Sequence, residues 1–456
     1  MRRNSLIYLT KWFSESGRKP LVLRGARQVG KTWVVRQLAQ DHQLQLLEFN
    51  FERQPSHKDF FASNDPKKIL LNLESYLGRS IEPKKSLLFL DEIQAMPELL
   101  AKLRWFYEGM PELAVIATGS LLEFVLENHT FSMPVGRITY LHLEPLSFEE
   151  FLLARGREKL VTYLQQYKLN DDIVSPIHEQ LLSFFKEYII VGGLPAAVSE
   201  WVIHESLEKV NLVHQDLIAT YRDDFAKYSK KIPIERLDEV LQAVPQMLGQ
   251  KFVYRQVNPD VQTPVVKKAL DLLCKACVCH HVNASYANGV PLGAEINHKM
   301  GKVILLDTGL VSAALGLPLH QMNQTRDINL INKGAVSEQV VGQLLRTVDP
   351  FYVEPRLYYW TRIEANASSE IDYVIQHHNK VIPIEVKAGT SGSLKSLHYF
   401  MNEKKLSQAV RINSDVPSVT LIDVKTSTGK PTKYTLISIP FYLIGQIHRL
   451  LSTVFQ

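Results

Sequence analysis

Cysteine is scarce. The three cysteines of this 456-residue chain, Cys274, Cys277 and Cys279, sit in one short stretch, "CKACVC". That spacing leaves no disulfide framework and fits a reducing cytoplasm. Long apolar runs are missing as well. None reaches the roughly 18 residues needed to span a bilayer. The N-terminus "MRRNSLIYLTKWFSESG" is basic but lacks an adequate apolar core segment and a small-residue cleavage site, so it reads as a short helix. No internal repeat and no low-complexity segment occurs. Strong charge of one sign is also lacking. The formal net charge is +5, which permits nucleic acid as a partner without demanding it. The expectation is a cytoplasmic protein with no membrane partner.

The chain has ordinary globular material, with 45% hydrophobic and 22% charged residues, enough for several cores. At roughly 100–200 residues per domain, the length implies about three domains. Residues 18–145 alternate strands and helices: "KPLVLRGARQVGKT", "LQLLEFNF", "KSLLFLDEIQ", "ELAVIATGS" and "RITYLHLEPLS" each carry an apolar strand. Buried apolar strands with intervening helices predict a parallel sheet covered on both faces. The expected division is an ATPase-type α/β core over 1–150, a helical lid-like region over 151–230 and a winged-helix-like segment over 231–290. A linker over 291–330 and a further α/β domain over 331–456 complete it.

"GARQVGKT" matches G-x-x-x-x-G-K-[ST] and lies between a strand and a helix. The predicted cradle runs through Gly25, Ala26, Arg27, Gln28, Val29, Gly30, Lys31, Thr32 and Trp33. Its glycines let backbone N–H groups face phosphates. The helix N-terminus adds its positive end. Lys31 is placed to reach the β- and γ-phosphates of ATP, and the Thr32 hydroxyl to ligate Mg2+. In "LLFLDEIQ", Asp91 ends a buried strand and is assigned to the Mg2+ shell. Glu92 is assigned to polarise the attacking water. Thr118 or Ser120 in "VIATGS" is placed to touch the γ-phosphate or the water, or else forms an ordinary turn. Arg137 in "MPVGRITY" is a sensor or an arginine finger for a neighbouring subunit, or else a plain surface arginine.

The ordered set "GARQVGKT", "LFLDEIQ", "ATGSLLEF", "GRITYLHLEPLSFEEF" and "GGLPAAV" resembles the bacterial and archaeal AAA-type ATPases that carry a C-terminal domain of unknown function. The phosphate-loop motif alone is generic, whereas the ordered set is specific and spans nearly the whole chain. The resemblance implies an ATPase core, a helical region, a winged-helix segment and a C-terminal restriction-endonuclease-like fold. It also implies ATP binding and hydrolysis. It carries over no substrate.

In the middle of the chain, paired glycines in "VGGLPAAV" (Gly192, Gly193, Leu194, Pro195) permit a tight reversal. "TPVVKKALDLLCKAC" reads as a recognition-type helix with Lys267 and Lys268 available to phosphate, or as part of a protein-docking module. "CKACVCHH" invites a zinc reading through Cys274, Cys277, Cys279, His280 and His281. The ligands are crowded at one helix end without a second pair, so buried small hydrophobes are the better reading.

A restriction-type nuclease core needs a helix acid, a strand Asp, then Glu-x-Lys on the adjoining strand. Glu338 in "GAVSEQVV", Asp372 in "EIDYVI", and Glu385 with Lys387 in "PIEVKAG" fit that order, with Asp372 and Glu385 as the metal ligands. In a strand of period two, Glu385 and Lys387 share a face. The alternative is a hairpin with matched surface charges. Two functions stay open: an ATP-driven enzyme acting on nucleic acid, or an ATP-regulated switch whose C-terminal fold only binds. ATP or ADP, Mg2+, DNA and a homo-oligomer are the candidate ligands and partners.

Overall fold

Leu21, Val22 and Leu23 are shut off from solvent, and so is every residue of "SLLFLD" and "AVIAT". Such uniformly buried strands need cover on both faces. The computed structural model supplies it, describing residues 1–119, 134–228, 232–321, 333–362, 369–389, 393–426 and 428–454. The N-terminal unit spans Met1–Glu144 with two short additions, Lys275–Cys277 and Pro350–Glu354. Its strands are β1 (Leu21–Arg24), β2 (Gln45–Asn50), β3 (Ser86–Asp91), β4 (Ala114–Thr118) and β5 (Thr139–His142). Helices α1 (Ser5–Ser14), α2 (Lys31–Asp41), α3 (Pro66–Leu77) and α4 (Leu99–Gly109) accompany them.

All pairings in this sheet are parallel, in the order β2-β3-β4-β1-β5. The first strand in sequence thus lies inside the sheet. Chain connections depart to both sides of it, which opens a crevice at the strands' C-terminal ends. Arg24, Asn50, Asp91 and Thr118 end β1 to β4 at that edge.

The second unit comprises Pro145–Cys274, Val278–Asp349 and Pro355–Gln456. It begins with helices α5 (Phe148–Ala154), α6 (Glu158–Gln166), α7 (Ser175–Val191), α8 (Pro195–His204), α9 (Leu207–Asp223), α10 (Ile234–Ala243) and α11 (Thr263–Lys275). Helix α5 starts at Ser147 with a reciprocal capping box to Glu150. On α11, Val266, Ala269, Leu270 and Leu273 are buried, while Lys267 and Lys268 are exposed.

Strands β6 (Cys279–Ser285) and β7 (Ile296–Leu305) follow as an antiparallel pair, then α12 (Thr308–Ala314) and α13 (Lys333–Leu345). The interval read as a linker is therefore structured where described. Its run "KVILL" is apolar enough to be buried, and Val303, Ile304 and Leu305 are.

The rest of the unit holds β8 (Leu357–Thr361), β9 (Glu370–Ile371), β10 (Tyr373–His377), β11 (Lys380–Val386), α14 (Lys395–Lys404), β12 (Gln408–Asn413), β13 (Ser418–Lys425), β14 (Pro431–Pro440) and α15 (Ile447–Val454). Two sheets result, ordered β7-β6-β8-β9 and β10-β11-β12-β14-β13. The β10–β11 pair is antiparallel and β11–β12 is parallel. One apolar core of this unit joins α5 to α8 with residues of β11, β12 and β14.

A buried polar knot pins the "GGLP" turn. Asp307 is wholly buried. It accepts hydrogen bonds from Gly193 N at 2.6 Å, Gly309 N at 2.9 Å and Gln343 Nε2 at 2.8 Å. Gly192 has φ 78°, and a Cβ there would run into the Asp307 carboxylate. This turn is built around a buried acid.

Candidate functional site

The phosphate loop leaves β1 at Gly25. Gly25 (φ 138°) and Gly30 (φ 96°) occupy the left-handed region. A Cβ on Gly25 would run into the Leu143 carbonyl oxygen, so only glycine fits there. Gln28 also has positive φ, 63°. Arg3 braces the loop from below, donating to Val29 O at 2.8 Å and to Glu144 O at 2.7 Å. Lys31 begins α2 and is only 9% exposed. Its ammonium donates to Gly25 O at 3.0 Å and Ala26 O at 2.7 Å. Burial lowers the Lys31 pKa to about 8, against the pull of Glu92 and Asp91. Arg27 lies 3.8 Å from Glu52. Trp33 is 39% exposed on the first turn of α2.

Asp91 is the hub of this site. Its Oδ1 accepts from the Thr118 hydroxyl and from Glu92 N at 3.1 Å. Its Oδ2 accepts from Asn50 Nδ2 at 3.1 Å and from Thr32 Oγ1 at 3.4 Å. Three adjacent strand ends and one helix start thus converge on one carboxylate. Glu92 sits in the left-handed region (φ 53°), a conformation that costs a non-glycine residue on the order of 1–2 kcal/mol. Its Oε2 accepts from Gln94 Nε2 at 2.5 Å.

Arg137 lies elsewhere. Thr139 pairs in register with Leu21, at the start of β1. Arg137 therefore flanks the N-terminal edge of the sheet, opposite the edge that carries Lys31, Asp91 and Thr118. Its guanidinium donates to Glu108 Oε1 of α4 at 2.9 Å. Ser120 lies outside the described residues.

In the second unit the predicted residues lie on adjoining elements. Asp372 Oδ2 accepts from Val386 N at 2.7 Å, beside the β11 strand that carries Glu385. Lys387 Nζ donates to Glu385 Oε1 at 2.6 Å. Tyr373 on β10 donates its hydroxyl to the Glu338 carbonyl at 2.8 Å, tying α13 to the hairpin. Two further residues belong to the cluster. Lys302 on β7 lies 3.0 Å from Glu338 Oε2 and 2.5 Å from Glu370 Oε1.

Burial and mutual repulsion push the carboxyls up. Desolvation, opposed by Lys302, carries Glu338 to about 8. Desolvation together with the Asp372 charge carries Glu385 to about 7. Among the described residues, no three His, Cys, Asp or Glu side chains converge closely enough to hold a metal ion.

The three cysteines are free thiols. Burial pushes Cys279 up. His281 pairs with Asp271, Nε2 to Oδ1 at 3.4 Å. Among the described residues, no helix is long and apolar enough to cross a membrane.

Sequence reasoning missed Asn50, Arg3, Lys302 and Glu370. Arg3 looks like an ordinary basic residue before a helix, and Lys302 like one before an apolar run. Asn50 was findable, because it ends β2 in register with Asp91.

The N-terminal unit is an AAA-type P-loop domain: residues 17–152 match the family described as AAA domain. Residues 183–321 match a domain of unknown function, DUF8612, and residues 333–441 another, DUF4143. No curated protein matches the sequence. Solved structures similar to the chain include a Walker-type ATPase of Pyrococcus abyssi, at 16% identity over 69% of this chain and 95% of that one, with a TM-score of 0.43. The ORC2 protein of Aeropyrum pernix, solved in ADPNP–ADP complexes, is similar at 13% identity over 72% of this chain and 93% of that one, with a TM-score of 0.36.

Proposed function

We propose that this protein is a Mg2+-dependent ATPase whose second unit acts on nucleic acid. One observation carries the first part: Asp91 joins Thr32, Thr118 and Asn50 at the sheet edge where the loop presents Lys31. Thr32 and Asp91 are the pair that would hold Mg2+, and the 3.4 Å between their oxygens suits a shared cation. When bound, the ion would draw charge off the β- and γ-phosphates.

The chain's own residues do the rest. The Lys31 ammonium exchanges its loop carbonyls for phosphate oxygens. Thr118 holds Asp91 in orientation through Oδ1, leaving Oδ2 toward Thr32. Glu92, turned by its left-handed backbone, takes the proton of the attacking water. Ser120 and, in a homo-oligomer, Arg137 acting on a neighbour's nucleotide remain part of this proposal.

The test is hydrolysis by purified protein. Glu92→Gln should retain ATP binding and lose turnover by about 100-fold or more. Lys31→Ala should lose binding. Full turnover in Glu92→Gln would assign the water to another residue.

The second unit supports gripping of nucleic acid more than cutting it. Lys267 and Lys268 are exposed on α11. The order helix acid, Asp372, Glu385, Lys387 resembles a restriction-endonuclease-like fold, yet two lysines already engage its carboxylates. DNA should stimulate the ATPase and bind with a strong salt dependence. Neither stimulation nor binding would leave the alternative, an ATP-regulated switch or scaffold.

A further inference from the structure

We propose that the cavity bounded by α9, α10 and α12 is a binding site for a small carboxylic acid with an apolar body of about one ring. The cavity lies wholly within the second unit and shares no lining residue with the nucleotide site or the carboxylate cluster.

Close-packed interiors leave few voids larger than a water molecule. This one measures about 180 Å3. Its floor is apolar: Ile218, Leu241, Val278, Leu305, Leu310 and Ala313 line it and are buried. Such a floor gives water few hydrogen-bond partners, and an apolar cavity of ~150 Å3 stays dry and takes up benzene. The space therefore suits one ring or a branched chain of similar bulk.

The mouth is polar. Gln215, Arg222 and Gln242 also line the cavity and are exposed. Asp238 of α10 orients two of them: its Oδ1 accepts from Arg222 Nε and its Oδ2 from Gln242 Nε2, each at 2.6 Å. A rim held in place this way loses little freedom when a ligand arrives. Asp238 does not itself line the cavity, and among the described lining residues Arg222 is the only charged one. A guanidinium bonded through Nε carries four further N–H donors. The head group that meets it is therefore an anion, and a planar carboxylate matches the guanidinium fork. An amine would meet a like charge. Apolar walls with a few placed polar groups are the usual anatomy of a small-molecule site.

The experiment is titration of the full-length protein with phenylacetate, benzyl alcohol and benzylamine, followed by ligand-detected NMR and by the rise of melting temperature. Phenylacetate should bind saturably, about tenfold tighter than benzyl alcohol, and benzylamine should bind more weakly than both. Arg222→Gln should bring phenylacetate down to the level of benzyl alcohol. Ala313→Leu, which fills the floor, should weaken both by about tenfold or more. Ala314→Phe, placed at the exposed end of α12, serves if the leucine variant does not fold.

No saturable binding of any of the three to wild type would overturn the site. So would binding that survives unchanged in a folded cavity-filling variant. Equal affinity for phenylacetate and benzyl alcohol in wild type would overturn the acid assignment.

Discussion

The Tyr373 hydroxyl donates to the Glu338 carbonyl across 2.8 Å and so fixes where helix α13 meets the β10–β11 hairpin. Glu338 is thereby held where the Asp372 charge acts on it. Gly342 lets the phenol in, since a Cβ there would strike the Tyr373 hydroxyl. Tyr373→Phe leaves a part-buried carbonyl with one partner fewer. It should cost about 1 kcal/mol in denaturant unfolding, with the fold retained.

Lys31 sets a pH limit on nucleotide binding. Burial lowers its pKa to about 8, and phosphate needs the charged form. ATP affinity should hold steady below that value and fall by up to about tenfold per pH unit above it. Lys31→Arg should lose this pH dependence, because a guanidinium stays protonated. Trp33, half-exposed beside the loop, offers a fluorescence readout.

Arg137 stands at the far edge of its own sheet, held by Glu108. Arg137→Ala should leave ATP affinity within about twofold, as separated sites behave independently. A larger loss would place Arg137 against the nucleotide of its own chain.

Asp307 gives a stability signature. Burial raises its pKa from the ordinary 3.8 to about 6. The unfolded chain ionises it first, so the folded state binds the extra proton between those values. Stability from this group is therefore present at low pH and declines as pH rises through that window, by at most about 3 kcal/mol. Urea unfolding at successive pH values should show this decline in wild type and not in Asp307→Asn. The amide should also cost about 1–3 kcal/mol at neutral pH, because its NH2 faces donors.

Much of the N-terminal site was legible in the chain itself. Glycine spacing, Lys31, Thr32 and a carboxylate after four apolar residues are local patterns, because a phosphate loop is one contiguous strand–turn–helix. Burial of whole strands likewise shows as unbroken apolar runs. Partners drawn from distant strands were not legible. Asn50 and Thr118 meet Asp91 because parallel neighbours end at one edge, and Arg137 misses that edge because its strand enters from the other end. Lys302 is the sharpest case. In sequence it merely precedes an apolar run more than 30 residues before Glu338. Burial made it matter: once folding removes water from the carboxylates, a cation must stand beside them, and which one does so is a property of the sheet packing alone.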